Sequence, residues 1–462
     1  MGYLKDKILE KVATSEDNIV FEEAVYNVAS QAFSKVMREV FEDLDKRLVA
    51  KMHADGYTME RKEPRHIQFL FGDVYFERRL WKKDKKYVYP LDELMGFLPR
   101  LRYSPLVQAK LSELATSSEF RKVSKAVSCL TPLQISPSGV HGIVQRVSKK
   151  VENHENNTKE LVHKEKKVVP VLYLEGDSLA VKSQSRGIIN INRFQVHEGV
   201  EKSGKRGYCV NLHQFSGRSR KKAFSDMLEY LRKNYDLKNT IILSNSDGGS
   251  GYEPEVFYEL ALGCKQHEHF LDRYHLNRKI RERMYFCPIE LVDKMVMAVK
   301  NYSKKDVELV LDTMESIATN ENDSKKARKY TSLLRKYLER NWKYIRPLRL
   351  RNIPTVIDRG GLGVCESRHR PFSYRMKRQG RSWRRLGAEN MVRLITSLQN
   401  KEYDEAVRSD WKKTLRKLDE VDVDFNKLLR TAHEPHVGVK TGRILNEGGS
   451  RTSQGKIKRT YG

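Results

Sequence analysis

Cysteine is scarce in this 462-residue chain, and the five present, Cys129, Cys209, Cys264, Cys287 and Cys365, form no Cys-x-x-Cys pair. Their dispersion excludes a disulfide framework and a zinc ribbon. Long apolar runs are also missing. No stretch approaches the roughly 20 residues of a membrane span, and the N-terminus carries no signal-peptide apolar region. Position 6 is Asp6 rather than Ser or Thr, so Gly2 is no myristoylation site. Acid is short relative to base: 88 Lys and Arg against 60 Asp and Glu leave a formal net charge of +28. Such a surplus repels itself unless a polyanion is near, and inside cells the commonest polyanion is nucleic acid. The chain therefore reads as soluble and intracellular. With 39% hydrophobic residues it is rich enough in apolar side chains for a sizeable core.

Periodicity divides the chain. Residues 1–60 read as an N-terminal helical region, because Phe21, Ala24, Val25, Val28, Phe33, Val36, Val40 and Leu44 share helical spacing; packing or self-association explains it. Residues 61–165 read as a small β and helix-turn-helix DNA-binding region. Its hairpin turns at Gly72-Asp73 and presents Arg78 and Arg79 near Trp81, a mixture suited to a phosphate backbone and equally to a solvated strand. Two helices follow, with Val123, Ala126 and Val127 inward on the first, Val140, Ile143, Val144 and Val147 on the second, and Ser138 as N-cap. A plain helical hairpin fits the same pattern. The polar stretch 153–167 reads as a linker.

Residues 166–285 give the order β-β-β-α-β-α-β-α. The strand "VVPVLYLEGDSLAV" carries Asp177, and "TIILSNSD" ends in Asp247. In "CKQHEHFLDRYH", alternation sets His267 and His269 on one strand face and Asp272 on the other, which favours a strand over a zinc site. Asp247 heads a glycine-rich turn, and turn formation alone accounts for it. Parallel neighbours can nevertheless bring Asp177 and Asp247 to one sheet edge, as in a ribonuclease H-like α/β fold. Two divalent ions roughly 3.5–4 Å apart need such a carboxylate cluster, and hard oxygen ligands select Mg²⁺ or Mn²⁺. Residues 286–350 hold three amphipathic patterns, the second opening with Ser303 and Asp306, and form an all-helical insertion. Residues 351–405 return to the core with Glu366, and 406–462 read as a C-terminal helix and flexible basic tail.

The motifs "FLFGDVYFERRLW", "YLEGDSLAVKSQ", "VHEGVEKSGKRGYCVN", "SNSDGG", "HFLDRYHLNRKI" and "CESRHRPFSYRMKRQGRSWRRLGAENMVRLI" occur in order. In them the chain resembles the ISLre-type insertion-sequence transposases, DDE transposases related to the Mutator-like group. The resemblance covers most of the chain. It implies a metal triad of Asp177, Asp247 and Glu366 holding two Mg²⁺ or Mn²⁺ ions, and it matches the group's acid-x-x-His motif with Asp272 and His275. It also implies DNA as partner, both element ends and target, a homo-oligomer of two or more on that DNA, and a cytoplasmic, nucleoid-associated setting. Where the family often has Trp shortly after its Asp-Gly, the nearest aromatic here is Tyr252.

For the third acid, Asp358 lies before a glycine-rich loop and Glu389 beyond Gly380 and Gly387, leaving Glu366 at the start of a helix; Arg370, one turn on, either binds a phosphate or pairs with it. After Glu366 come Arg368, Arg370, Arg375, Lys377, Arg378, Arg381, Arg384 and Arg385, with Tyr374 and Trp383 between them, chemistry that grips phosphates and stacks on unpaired bases. A solvated face is the alternative. The expected activity is cleavage at element ends and joining of 3′-hydroxyls to target DNA. A domesticated DNA-binding protein and a metal-dependent nuclease share many of these features.

Overall fold

The computed structural model describes residues 2–160, 165–204, 206–320, 324–353, 362–378 and 380–408, apart from the side chains of 3, 158–160, 203, 206, 320 and 366. The tail expected from 409 onward and Asp358 lie outside the described residues. The protein is mixed α/β. Helix α1 (Gly2–Thr14) leads into α2 (Asn18–Ala54), whose first turn is capped by Asp17 accepting from the N–H groups of Ile19 and Val20. Strands β1 (Thr58–Phe69), β2 (Gly72–Lys83) and β3 (Lys86–Val88) form an antiparallel sheet against α2. Phe41, Ile67, Val74, Phe76, Leu91 and Phe97 fill the space between. The apolar face of α2 is only partly covered. Phe33, Val36 and Val40 are exposed, because they lie off the helix face that meets the sheet, where Ser30, Phe41, Leu48 and Met52 are buried.

Helices α3 (Pro90–Met95), α4 (Pro105–Ala115), α5 (Phe120–Leu130) and α6 (Pro137–Glu160) follow. Val123 and Val127 of α5 face Val140, Ile143, Val144 and Val147 of α6 in one core. Three details correct the sequence reading. Ala126 is exposed. Ser136 rather than Ser138 caps α6, accepting from the Gly139 N–H at 3.1 Å, since Pro137 takes the first helical position. The expected linker instead continues α6 to Glu160: it holds no Gly or Pro, and Glu152 and Glu155 are paired with Arg393.

The second sheet has five strands. β4 (Val171–Lys182) and β5 (Ile188–His197) are antiparallel; a two-stranded ear of β6 (Val200–Ser203) and β7 (Arg206–Cys209) separates β5 from β8 (His213–Gly217). Helix α7 (Arg220–Asn234), capped by Ser219, leads to β9 (Ile241–Ser246), and α8 (Pro254–Leu260) to β10 (Gln266–Leu271). β9 and β10 run parallel to β4, giving the order β10-β9-β4-β5-β8. Leu172, Leu174, Phe194 and Val196 pack under α7 and α8.

Helix α9 (Arg273–Arg283) starts directly after β10, capped by Asp272. With α10 (Ile289–Asn301), α11 (Lys304–Asn320) and α12 (Ser324–Ile345) it builds a helical unit with its own core of Leu276, Ile280, Met295, Val310, Leu334 and Leu338. A 3-10 turn at Leu348–Leu350, then α13 (Cys365–Arg368), α14 (Arg370–Met376) and α15 (Arg385–Gln399), return the chain to the sheet. α15 meets α6 through Ser148 and Asn390. Among the described residues no helix is long and apolar enough to cross a membrane.

Two histidines inside this layer set an acid limit on stability. His267 and His269 of β10 share the Ser244 hydroxyl of β9, at 2.7 and 2.9 Å. Burial pushes them down to about 4 and about 3, helped for His269 by the charges of His267 and Arg351. The unfolded chain takes up these protons from pH 6.5 downward and the folded chain does not, so stability falls as pH drops from 6.5 toward 4. Denaturant unfolding at stepped pH should show a loss of a few kcal/mol over that window, on the order of 1.4 per pK unit shifted. His269→Gln should flatten it; an equally steep loss in that variant would place the proton uptake elsewhere.

Candidate active site

The register of the parallel strands aligns three acids. Gly176 of β4 pairs with Ser246 of β9, and Ser246 with Leu271 of β10. One residue onward on each chain stand Asp177, Asp247 and Asp272, forming a row across adjacent strands that lie about 5 Å apart. The Asp272 N–H donates to the Ser246 carbonyl at 2.8 Å, which holds the third member in line. Ligands in open α/β sheets gather at this end of parallel strands.

Each member of the row is differently engaged. Asp177 Oδ2 lies 2.9 Å from His369 Nε2 and 4.0 Å from His275 Nε2, and Oδ1 accepts from the Ser178 N–H at 2.6 Å. Burial opposes ionisation of Asp177, but the His369 hydrogen bond and charge, the Ser178 N–H and His275 outweigh it and hold the carboxyl below its ordinary value. Asp247 heads a turn in which Gly248 and Gly251 have positive φ, and its Oδ1 accepts from the Gly249 N–H at 2.8 Å. It is thus both a turn former and a carboxylate at a strand end. Asp272 Oδ1 accepts from the His275 N–H at 3.0 Å. The Asp-x-x-His motif is therefore a helix cap followed by a first-turn histidine that reaches across β9 toward Asp177 of β4.

Beneath the row lies a carboxylate that sequence reasoning missed. Glu175, two residues before Asp177 on β4, is fully buried and accepts from the N–H groups of Gly363 at 2.6 Å, Val364 at 3.2 Å and Cys365, and from Gln195 Nε2 at 3.0 Å. Burial pushes it up to about 7 against those three N–H donors, and the Asp272 charge adds to the rise. Between the two acids, Gly176 leaves no room for a side chain: a Cβ there would sit 2.7 Å from the Tyr252 ring and 3.0 Å from those of Phe194 and Phe257. Tyr252, the residue near the family's Trp position, is buried and accepts from the Arg193 N–H at 3.2 Å. Arg193 faces Asp177 in register, donates to Gln214 at 2.6 Å and lies over the Phe372 ring. An acid inside an apolar strand at two-residue spacing from Asp177 was the available signal for Glu175; nothing in the spacing marked His369 or Arg193.

Glu366 sits on α13, one residue past the N–H groups that Glu175 holds; its side chain lies outside the described residues. Its rival Glu389 is on α15, paired with Arg218 at 3.1 Å. Asp177 and Asp247 supply the hard oxygen donors a divalent cation requires, on adjacent strands, so the donor chemistry fits. Among the described residues no three His, Cys, Asp or Glu side chains are arranged to hold a metal.

The cations expected to face DNA separate into two groups. Arg78 pairs with Asp92 beneath Tyr89, and Arg79 with Asp45. Arg375 is buried, donating to the Ala115 carbonyl at 2.6 Å over Phe120 and Trp383. Arg381 bonds the Arg375 carbonyl and Glu119, and Trp383 is buried with its indole N–H on the Met376 carbonyl. These five are occupied internally and unavailable to a phosphate, since sequence spacing does not distinguish an arginine that braces the core from one facing solvent. Arg370, Lys377, Arg378, Arg384 and Arg385 are exposed, and Arg368 is half-buried.

Residues 16–413 match a family described as "Uncharacterised protein family (UPF0236)". A protein of Streptococcus gallolyticus described as "UPF0236 protein in vanSb 3'region" is 37% identical over 452 residues, 96% of this chain and 97% of its own length. A UPF0236 protein of Caldanaerobacter subterraneus subsp. tengcongensis, whose name joins eleven locus designations, is 25% identical over 368 residues, 78% of this chain and 73% of its own. Another from that organism, its name joining four, is 25% identical over 363 residues, 77% and 72%. With the match running through both sheets and the helical unit between β10 and α13, the chain belongs to the UPF0236 family.

Proposed function

We propose that the protein is a DNA transposase of the ISLre type, built on a ribonuclease H-like core, that cuts at element ends and joins the 3′-hydroxyls to target DNA. The observation that carries this reading is the acid row, with Asp177 and Asp247 side by side on parallel strands and the Glu366 segment fastened to the same strand by Glu175. Three successive antiparallel strands followed by two parallel ones, in the order β10-β9-β4-β5-β8, support the fold. Relatives whose single names join eleven and four locus designations support a mobile element, which multiplies within a genome.

Asp177, Asp247 and Glu366 would hold two Mg²⁺ or Mn²⁺ ions. Such ions, when bound, neutralise charge on the scissile phosphate and activate water or a 3′-hydroxyl for in-line attack. His369 keeps one Asp177 oxygen oriented, and the turn N–H from Gly249 does the same for Asp247. Exposed Arg370, Lys377, Arg378, Arg384 and Arg385 offer charge to the DNA backbone beyond the helix of Glu366. The full chain is to be incubated with Mg²⁺ and a plasmid carrying its gene with native flanks. Cleavage at the flanks and joined products are expected; cleavage without joining would make it a nuclease, and DNA binding without either a regulator.

A further inference from the structure

The helical unit between β10 and α13 comes up to the acid row, where Asn341 Oδ1 of α12 stands 4.0 Å from the place a Cβ on Gly248 would take, and it carries a group of cations with no paired carboxylate among the described residues. Lys279 and Arg283 are one turn apart on α9, and Tyr337 and Arg340 one turn apart on α12, so each pair shares a helix face. The Tyr337 ring lies under both α9 cations, 4.6 Å from Lys279 Nζ and 5.0 Å from Arg283 Cζ. Arg283 is fixed by donating to the Leu333 carbonyl at 2.7 Å. Arg340 adds its charge to the same group, acting on Lys279, Arg283 and Tyr337.

Neighbouring cations are neutralised, and these are not. Arg278 pairs with Glu282, Arg335 with Asp312 and Glu315, and Arg351 with Glu268. Among the described residues no carboxylate comes within 4 Å of the charged nitrogens of Lys279, Arg283 or Arg340. The acids they sense are Asp247, from the row itself, and the already paired Glu282. A second observation is independent of the charge. Tyr337 is 5% exposed, and its hydroxyl is buried without a hydrogen-bond partner. Leaving a buried hydroxyl unpaired costs about 1–3 kcal/mol, so its retention points to an acceptor that arrives with a ligand.

We propose that Lys279, Arg283, Arg340 and the Tyr337 hydroxyl form a clamp for a backbone phosphate of the DNA strand next to Asp247. The clamp rests on the transposase reading and adds a second contact to it, on the helical unit rather than on the exposed cations after Glu366. A phosphodiester suits the group because its two non-bridging oxygens accept at once from a guanidinium and a phenol, and its single charge meets cations that repel one another. Burial and the two neighbouring guanidinium groups hold the Lys279 ammonium below its ordinary value, with Asp247 opposing, which fits cations waiting for an anion.

The test is DNA binding by the full chain without divalent ions, measured by anisotropy of a labelled duplex and a labelled single strand at several salt concentrations. Inorganic phosphate at constant ionic strength serves as competitor. Arg340→Ala and Lys279→Ala should each weaken binding and lower the slope of log K against log salt by about 0.9 on duplex or about 0.7 on single strand. Tyr337→Phe should weaken binding several-fold at unchanged slope while raising the thermal midpoint of the free chain, because it removes the unpaired hydroxyl, and Arg335→Ala, whose charge is already paired, should leave binding unchanged. Displacement by phosphate at concentrations that leave Arg340→Ala unaffected would recast the clamp as a site for free phosphate and overturn the assignment to DNA. If the native chain binds DNA and the three variants match it in affinity and slope, the clamp is wrong and the transposase reading stands. If the native chain binds no DNA, both fall; if the variants behave as expected but no flank is ever cut, the clamp survives and the transposase chemistry does not.

Discussion

Asp177→Asn and Asp247→Asn are each expected to remove Mg²⁺-dependent strand cleavage while leaving DNA binding intact or slightly tighter. The amide keeps the size of the side chain and its contacts with the Ser178 or Gly249 N–H, and loses the charge that attracts a divalent ion. A cation's stabilisation of developing charge is worth several kcal/mol, so the loss should be at least about a thousandfold. The two positions differ in one respect. Asp177 also carries the His369 contact, so Asp177→Asn should raise the share of His369 in the neutral form, readable by imidazole NMR, whereas Asp247→Asn should leave that signal in place. Near-normal cleavage by Asp247→Asn would return that residue to the status of a turn former.

The second large effect belongs to Glu175. Replacing it with Ala removes the acceptor of three backbone N–H groups and of the Gln195 amide, with the Cys365 N–H and the Gln195 amide left in buried positions, and should lower stability by about 3–5 kcal/mol. Glu175→Gln keeps the volume but presents an NH₂ to donors that need an acceptor. Its expected signature is local: faster hydrogen exchange at Gly363, Val364 and Cys365, and cleavage slowed by about 10–100-fold, the range seen when a partner that orients a metal ligand is lost. Native exchange at those amides together with native cleavage would show that Glu175 does not position the Glu366 helix.

Much of the α/β core could be read from the chain because its signals are local. β4 and β9 open on runs of aliphatic residues, β10 shows alternation, and α7 and α10 to α12 repeat apolar residues at helical spacing. Asp177 and Asp247 were visible because strand-end acids beside glycine are conspicuous. What escaped depends on contacts between distant segments. His369 becomes a partner of Asp177 only when residues 192 apart are brought together, and Glu175 is recognisable only once Gly363 to Cys365 arrive over β4. The arginines divide for the same reason. Arg375 and Arg378 look alike in sequence, yet one is buried against Ala115 and Trp383 and the other faces water.

The hold of Glu175 on residues 363–365 separates the length of the chain from the placement of its third acid. Between β10 and the 3-10 turn at Leu348–Leu350 the polypeptide leaves the sheet for some seventy-five residues, and ordinarily each residue added to such an excursion would loosen where it lands. Here the landing is defined by hydrogen bonds at the point of return, not by the path taken. The helical unit can therefore lengthen, shrink or be exchanged while Asp177 and the Glu366 segment keep their distance, because both are anchored within three residues of one strand.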